Sequence, residues 1–392
     1  MKGTTMRNVN DDLSGRDLQL RHPYLERARR VVVKVGSAVL TSQAGLAREV
    51  MESLAGDLHF LRQSGREVIL VSSGAVAAGR KKMALGDRAL TLKEKQAAAA
   101  LGQSSLMRVY EDLFEGLGLH VAQVLLTHND LSQRDRYLNI RNTMFTLLQW
   151  GAVPIINEND TVSVKELRFG DNDTLAALVT NMIEADLLVC LTDVEGLYTA
   201  NPCTDPAARL LTTVGQVDEG VEGMAGNVCG KLGTGGMRSK IMAAGTVAAR
   251  GGCSFIGSGR QPGVIRKLFA GEPVGTFFLP REEKIHSRKH WIAYTLRPKG
   301  QLVLDRGACR ALLEGGKSLL PSGILEVRGR FGIGDQVHCL DEREQVIAAG
   351  LVNYPSADIE RIHGAHSSRI EEILGHKDSD EVIHRDNLVI LK

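Results

Sequence analysis

Aromatic residues make up only 4% of this 392-residue chain. That scarcity argues against a stacking platform for single-stranded nucleic acid. An excess of charge of one sign is missing too. A net charge of +2 gives no strong overall bias toward nucleic acid or acidic membranes. No apolar run approaches the length of a membrane span. The first thirty residues are polar and mixed in charge, without the apolar segment of a signal peptide, and read as a flexible or loosely docked extension. Six dispersed cysteines (190, 203, 229, 253, 309, 339) form no CxxC pair and no metal-like spacing. A disulfide framework is not expected at this length, and a reducing cytoplasm fits. Neither GxxxxGK[ST] nor a GxGxxG following a strand occurs, so P-loop and Rossmann readings lose their main support.

What is present points to two domains and an ordinary globular core, with 43% hydrophobic and 24% charged residues. The 42 glycines gather at apparent strand ends, as close approach of backbone to a ligand requires. Buried strands are predicted at 31–35, 68–71, 119–126, 153–156 and 187–191, alternating with helices at 46–63, 92–116 and 137–149. That alternation implies an α/β fold with an open, mostly parallel sheet sandwiched by helices. From about residue 280 the pattern breaks into short strand-like segments (300–304, 323–327, 331–337, 346–348), which read as a small β-rich domain. Its basic first half and acidic second half cancel, so a structural or regulatory appendage is favoured over a nucleic-acid module.

The chain is organised around residues 154–173, PIINENDTVSVKELRFGDND. A buried strand runs into the knot Asn157-Glu158-Asn159-Asp160. Residues 161–169 alternate like a hairpin or flap, and a second knot, Gly170-Asp171-Asn172-Asp173, leads into the helical pattern TLAALVTNMIEA. Either knot alone is what a turn needs. Together they place carboxamides and carboxylates at a strand end and a helix start, the edge where open α/β sheets bind ligands. A small substrate with an ammonium and carboxylates needs such paired acceptors and donors.

Two lysines stand out. Lys34 interrupts the apolar strand Val31–Val35 just before Gly36-Ser37, where it either snorkels to water or aims its ammonium at phosphate oxygens. Lys240 closes the most glycine-dense segment, residues 230–240, at the start of a helix, in a pattern suited to a phosphate cradle. Ser72-Ser73-Gly74-Ala75 forms a further strand–turn–helix junction.

The stretches VVVKVGSAVL (31–40), VSSGAVAAGR (71–80), PIINENDTV (154–162), FGDNDTLAAL (169–178), LTDVEGLYTANP (191–202) and KLGTGGMRSK (231–240) together resemble the amino acid kinase family, in the branch that phosphorylates the γ-carboxylate of L-glutamate. ALLEGGKSLLPSGI (311–324) and FGIGDQV (331–337) look like a PUA domain. The resemblance implies a polar extension (1–28), a catalytic domain (29–275) and a PUA-like domain (285–380). It implies ATP with Mg²⁺ held by the ATP phosphates, and L-glutamyl 5-phosphate as product. Lys34 and Lys240 match the phosphate-contacting positions, with Asp173 and Asp171 as candidates for organising them or Mg²⁺. Ser73, Asp160 and Asn172 match the glutamate site. Lys34, Thr192, Asp193, Thr234, Gly235, Gly236, Met237, Arg238, Ser239 and Lys240 match the nucleotide site. Feedback inhibition by proline, transfer of the labile product to glutamyl phosphate reductase, and a homo-oligomer are implied as well. Two alternatives stay open: another acceptor such as N-acetylglutamate, and RNA binding through the C-terminal domain. The first is disfavoured by Asp160 and Asn172, the second by the intact lysines and the neutral C-terminal charge.

Overall fold

The computed structural model describes residues 9–42, 45–86, 88–162, 172–224, 236–281, 289, 292–293 and 295–391. The chain divides into two compact units, Met1–Lys284 and Ile285–Lys392.

The strands of the first unit are β1 (Arg30–Val35), β2 (Thr41–Ser42), β3 (Gly45–Leu46), β4 (Glu67–Ser72), β5 (Val121–Leu126), β6 (Val153–Glu158), β7 (Leu187–Thr192), β8 (Thr213–Val214), β9 (Cys253–Ser258) and β10 (Thr276–Phe278). Its helices are α1 (Val9–Arg27), α2 (Ser37–Leu40), α3 (Arg48–Gln63), α4 (Ala75–Lys82), α5 (Leu92–Glu115), α6 (His128–Ser132), α7 (Arg134–Gln149), α8 (Asn172–Met182), α9 (Glu219–Met224), α10 (Met237–Ala249) and α11 (Val264–Phe269). Eight strands form one sheet in the order β5-β6-β4-β1-β7-β9-β10-β8. Every pair from β5 to β9 is parallel, and only the β9–β10 step is antiparallel. Helices cover both faces, so the central strands are apolar throughout rather than alternating; all six residues of β7 are buried.

Strand alternation divides β1 between two cores. Val31, Val33 and Val35 pack with Leu54, Leu58, Leu106 and Tyr110 from α3 and α5. Val32 and Lys34 therefore point to the opposite face, the one covered by α8. Helix α8 is itself buried at Asp173 and from Leu175 to Met182, which places it in the interior between the sheet and α10.

Helices α4 and α5 cross at close range. A Cβ added to Gly102 would stand 1.8 Å from the Ala75 carbonyl oxygen, and one added to Gly79 would stand 1.8 Å from that of Ala98. Gly102→Ala is therefore expected to force the helices apart and cost about 1–3 kcal/mol. A urea midpoint equal to that of the unaltered chain would contradict this.

The first thirty residues, read from sequence as flexible or loosely docked, depart from that expectation within the described part. Leu25 near the end of α1 and Ala28 just after it join the core. The Arg21 guanidinium is 1% exposed and donates to the carbonyl oxygens of Val274 (3.0 Å), Gly275 (3.4 Å) and Thr212, and to Thr213 Oγ1 (3.3 Å). Burial draws Arg21 down to about 10, against the pull of Asp17, so it remains cationic at neutral pH. Polar composition concealed this docking because hydrogen bonds to backbone oxygens anchor it alongside apolar contacts.

The second unit holds a five-stranded sheet of β11 (Gly300–Leu304), β12 (Ile324–Gly329), β13 (Gln336–Leu340), β14 (Val346–Leu351) and β15 (Leu388–Ile390), in the order β12-β11-β13-β14-β15. Its own core includes Leu302, Phe331, Val337, Tyr354 and Ile383.

Candidate active site

Parallel pairing brings the carboxyl ends of β1, β4, β6, β7 and β9 to one edge. Lys34 lies level with Val71 and Cys190, and Thr192 with Ser258. Gly36 follows β1 and donates its N–H to the Leu191 carbonyl (3.2 Å). A Cβ on Gly36 would lie 3.6 Å from Lys34 Nζ, so glycine leaves the approach to the ammonium open. Ser73 donates its N–H to the Val35 carbonyl (3.1 Å), and Gly74 takes φ +107° to turn the chain into α4. A side chain there would be strained.

Three groups far apart in sequence meet at this edge. Lys34 Nζ lies 2.5 Å from Asp173 Oδ1, and Lys240 Nζ donates to Asp173 Oδ2 (3.1 Å). The Ser239 hydroxyl also donates to Asp173 Oδ2 (2.7 Å). Both lysines are 4% exposed and Asp173 is fully buried. Burial alone would raise the Asp173 carboxyl. The Lys34 and Lys240 ammoniums, with the Lys34 and Ser239 hydrogen bonds, outweigh it and hold the group below the ordinary carboxylate range. Two buried ammoniums meeting on one carboxylate gather positive charge at this edge of the sheet. The first turns of α8 and α10, which carry Asp173 and Lys240, add positive potential at the same place.

A second group lies beside it. Asn172 Nδ2 donates to Ser73 Oγ (2.8 Å), Asn157 Oδ1 (2.9 Å) and the Ser72 carbonyl (3.3 Å). The Ser72 hydroxyl meets that of Tyr110 (2.8 Å). Burial pushes the Tyr110 hydroxyl far up despite the Ser72 hydrogen bond, so it stays protonated.

Of the residues singled out from sequence, Lys34, Lys240, Asp173 and Ser239 converge directly, and Ser73 joins Asn172. Asp160 sits in the turn after β6, its N–H donating to the Glu158 carbonyl (3.0 Å). Thr192 ends β7 and donates its hydroxyl to Asp193 Oδ1 (3.1 Å). Gly236 precedes α10, Arg238 is exposed, and the Met237 side chain is buried in the core. Asp171, Thr234, Gly235 and the expected flap from 163 onward lie outside the described residues. Sequence reasoning missed Gln103 and Tyr110, and it singled out Asn157 only as a member of the polar knot after the strand, without a role of its own. A glutamine within the small-residue run QAAAALGQSS was the one available signal for Gln103.

Among the described residues no group of three or more His, Cys, Asp or Glu side chains converges as a metal cage, and no helix is long and apolar enough to cross a membrane.

A sheet of this topology with a buried cationic cluster at its carboxyl edge belongs with enzymes that move phosphoryl groups. The chain belongs to the amino acid kinase family, whose model matches residues 29–256; a PUA domain model matches residues 300–374. Glutamate 5-kinases are among its relatives within that family. That of Desulfotalea psychrophila is 59% identical over 375 residues, covering 95% of this chain and 100% of the relative. That of Syntrophotalea carbinolica is 50% identical over 373 residues, again 95% and 100%. A solved carbamate kinase from Giardia lamblia, bound to AMP-PNP, aligns with 65% of this chain and 99% of its own at 15% identity and a TM-score of 0.48.

Proposed function

We propose that this protein transfers the γ-phosphoryl group of ATP to the γ-carboxylate of L-glutamate, giving L-glutamyl 5-phosphate, the first step from glutamate to proline. The observation that carries the reading is the buried Lys34–Asp173–Lys240 cluster beside the Asn172–Ser73 pair. The glutamate carboxylate is ionised at pH 7 and already nucleophilic, so the reaction needs no general base. Its barrier lies in bringing anions together in line. Lys34 and Lys240 neutralise the charge that develops on the transferring phosphoryl oxygens. Asp173 holds both ammoniums on target, and their fixed positions avoid reorganisation during transfer. Asn172, Ser73 and Asp160 hold the ammonium and α-carboxylate of glutamate. The edge formed by Thr192-Asp193 and the segment leading into Lys240 holds the nucleotide.

Asp173 is engaged by two lysines and a serine, which favours its holding the lysines over its ligating Mg²⁺. The metal is carried by the ATP phosphates, as is common for this ion. Residues 29–275 form the catalytic domain and 285–380 the PUA-like domain. Proline as inhibitor, glutamyl phosphate reductase as consumer of the labile product, a homo-oligomer and a cytoplasmic setting complete the proposal.

The test is ATP turnover with Mg²⁺ and L-glutamate, trapping acyl phosphate with hydroxylamine. Hydroxamate with glutamate alone, reduced by proline, is expected. ADP release only with N-acetylglutamate or aspartate would move the substrate while keeping the chemistry.

A further inference from the structure

Beside the lysine cluster runs a line of amides that phosphoryl transfer itself does not use. Its direction is fixed by one backbone group. The Glu158 N–H donates to Asn157 Oδ1 (2.9 Å), and since a backbone N–H only donates, that side-chain atom is the oxygen. Asn172 Nδ2 donates to the same oxygen (2.9 Å). The Asn157 nitrogen must then donate outward, and it does so to Gln103 Oε1 on α5 (2.9 Å). The Gln103 amide is thereby set as well. Its Nε2 is buried without a hydrogen-bond partner among the described residues, in a side chain only 9% exposed. At the other end, Asn172 Nδ2 is occupied by Asn157, Ser73 and the Ser72 carbonyl, so its Oδ1 is the end left to accept from a ligand.

We propose that Gln103 is a positioning residue for substrate selection. Together with the Glu158 N–H it holds the Asn157 amide from both ends, and Asn157 in turn seats Asn172 so that its Oδ1 and the Ser73 hydroxyl meet the ammonium end of an α-amino dicarboxylate. This rests on the glutamate kinase reading and deepens it. A pairing set up to accept from an ammonium discriminates against an acceptor lacking that group, because the site's polar atoms would then be unmatched. Gln103 neighbours Gly102 at the tight α4–α5 crossing, so its backbone is held firmly where the amide chain begins.

The experiment compares the unaltered chain with Gln103→Met, Gln103→Glu, Asn172→Ala and the Gln103→Met/Asn172→Ala double variant. It measures kcat, KM for glutamate and for ATP, turnover of glutarate, and the thermal midpoint with and without glutamate. Gln103→Met removes the acceptor for Asn157 at similar volume. It is expected to raise the glutamate KM about tenfold, leave the ATP KM within about twofold, and leave glutarate turnover unchanged. Gln103→Glu keeps an acceptor for Asn157 and is expected to stay within about threefold of the original glutamate KM. In the Asn172→Ala background the methionine adds less than about twofold, since the two residues act in series. An unchanged glutamate KM, an additive double variant, or equal losses for glutamate and ATP would each overturn the proposal. Should Gln103→Met not fold, a tenfold rise in Gln103→Glu would overturn it and retention would support it. If the unaltered chain gives neither hydroxamate nor a glutamate-dependent midpoint shift, the functional reading falls and this inference with it. If it gives both and the Gln103 variants behave like it, this inference alone falls.

Discussion

Lys240→Met is expected to lower kcat by about three orders of magnitude while changing the glutamate KM by less than about threefold. Lys34→Met should behave alike. The reason is where the charge sits. Both ammoniums are buried at the sheet edge and anchored on one carboxylate, Asp173, rather than on the Asn172–Ser73 pair. Their attraction therefore grows as the phosphoryl group passes between donor and acceptor, and it contributes little to holding ground-state glutamate. Methionine keeps the apolar stem and removes the charge. Steady-state kinetics with hydroxamate detection settles the matter. A raised glutamate KM with unchanged kcat would remove both lysines from the chemistry.

Asp173→Asn is expected to affect stability and turnover together. Without the carboxylate, two buried ammoniums lose the partner they share, and breaking a buried pair of this kind costs about 3–5 kcal/mol. Turnover should fall by about two orders of magnitude, because the lysines lose the group that aims them. The pH dependence follows from the direction of the carboxyl shift. Asp173 is held below its ordinary 3.8 in the folded chain. A depressed carboxylate contributes stability that is complete above the unfolded value and is lost as pH falls through the folded one. The gap between the unaltered chain and Asp173→Asn should therefore be constant from neutrality to about pH 5 and narrow below about pH 4. Urea midpoints across that range give the result. A gap that widened on acidification would mean that Asp173 is not the ionised partner of the lysines.

The path from sequence to site was uneven for physical reasons. Lys34 was legible because a lysine inside an apolar strand must either reach water or find a partner, and it finds Asp173. Lys240 was legible from the glycine-rich approach to a helix. Their meeting was not, since it depends on β1, α8 and α10 being brought together by the order of the sheet. The strand-and-helix alternation was plain wherever strands were continuously apolar. It failed to reveal β8, β10 and β15, which are too short to carry a pattern, and β9, whose sequence CSFIGS is not continuously apolar. Gln103 was invisible because a helix filled with alanine announces packing and conceals a single polar contact.

The Arg21 anchorage bears on how the kinase unit can be cut. The family model starts at residue 29, so a chain shortened to that point keeps every matched segment and all three groups of the ion cluster. It loses the guanidinium that occupies the carbonyls of Thr212, Val274 and Gly275, beside the outermost strands β8 and β10. A sheet margin stripped in this way offers unpaired backbone to other chains. Such a shortened protein would retain its chemistry while becoming prone to self-association, and loss of solubility rather than of turnover would be its first symptom.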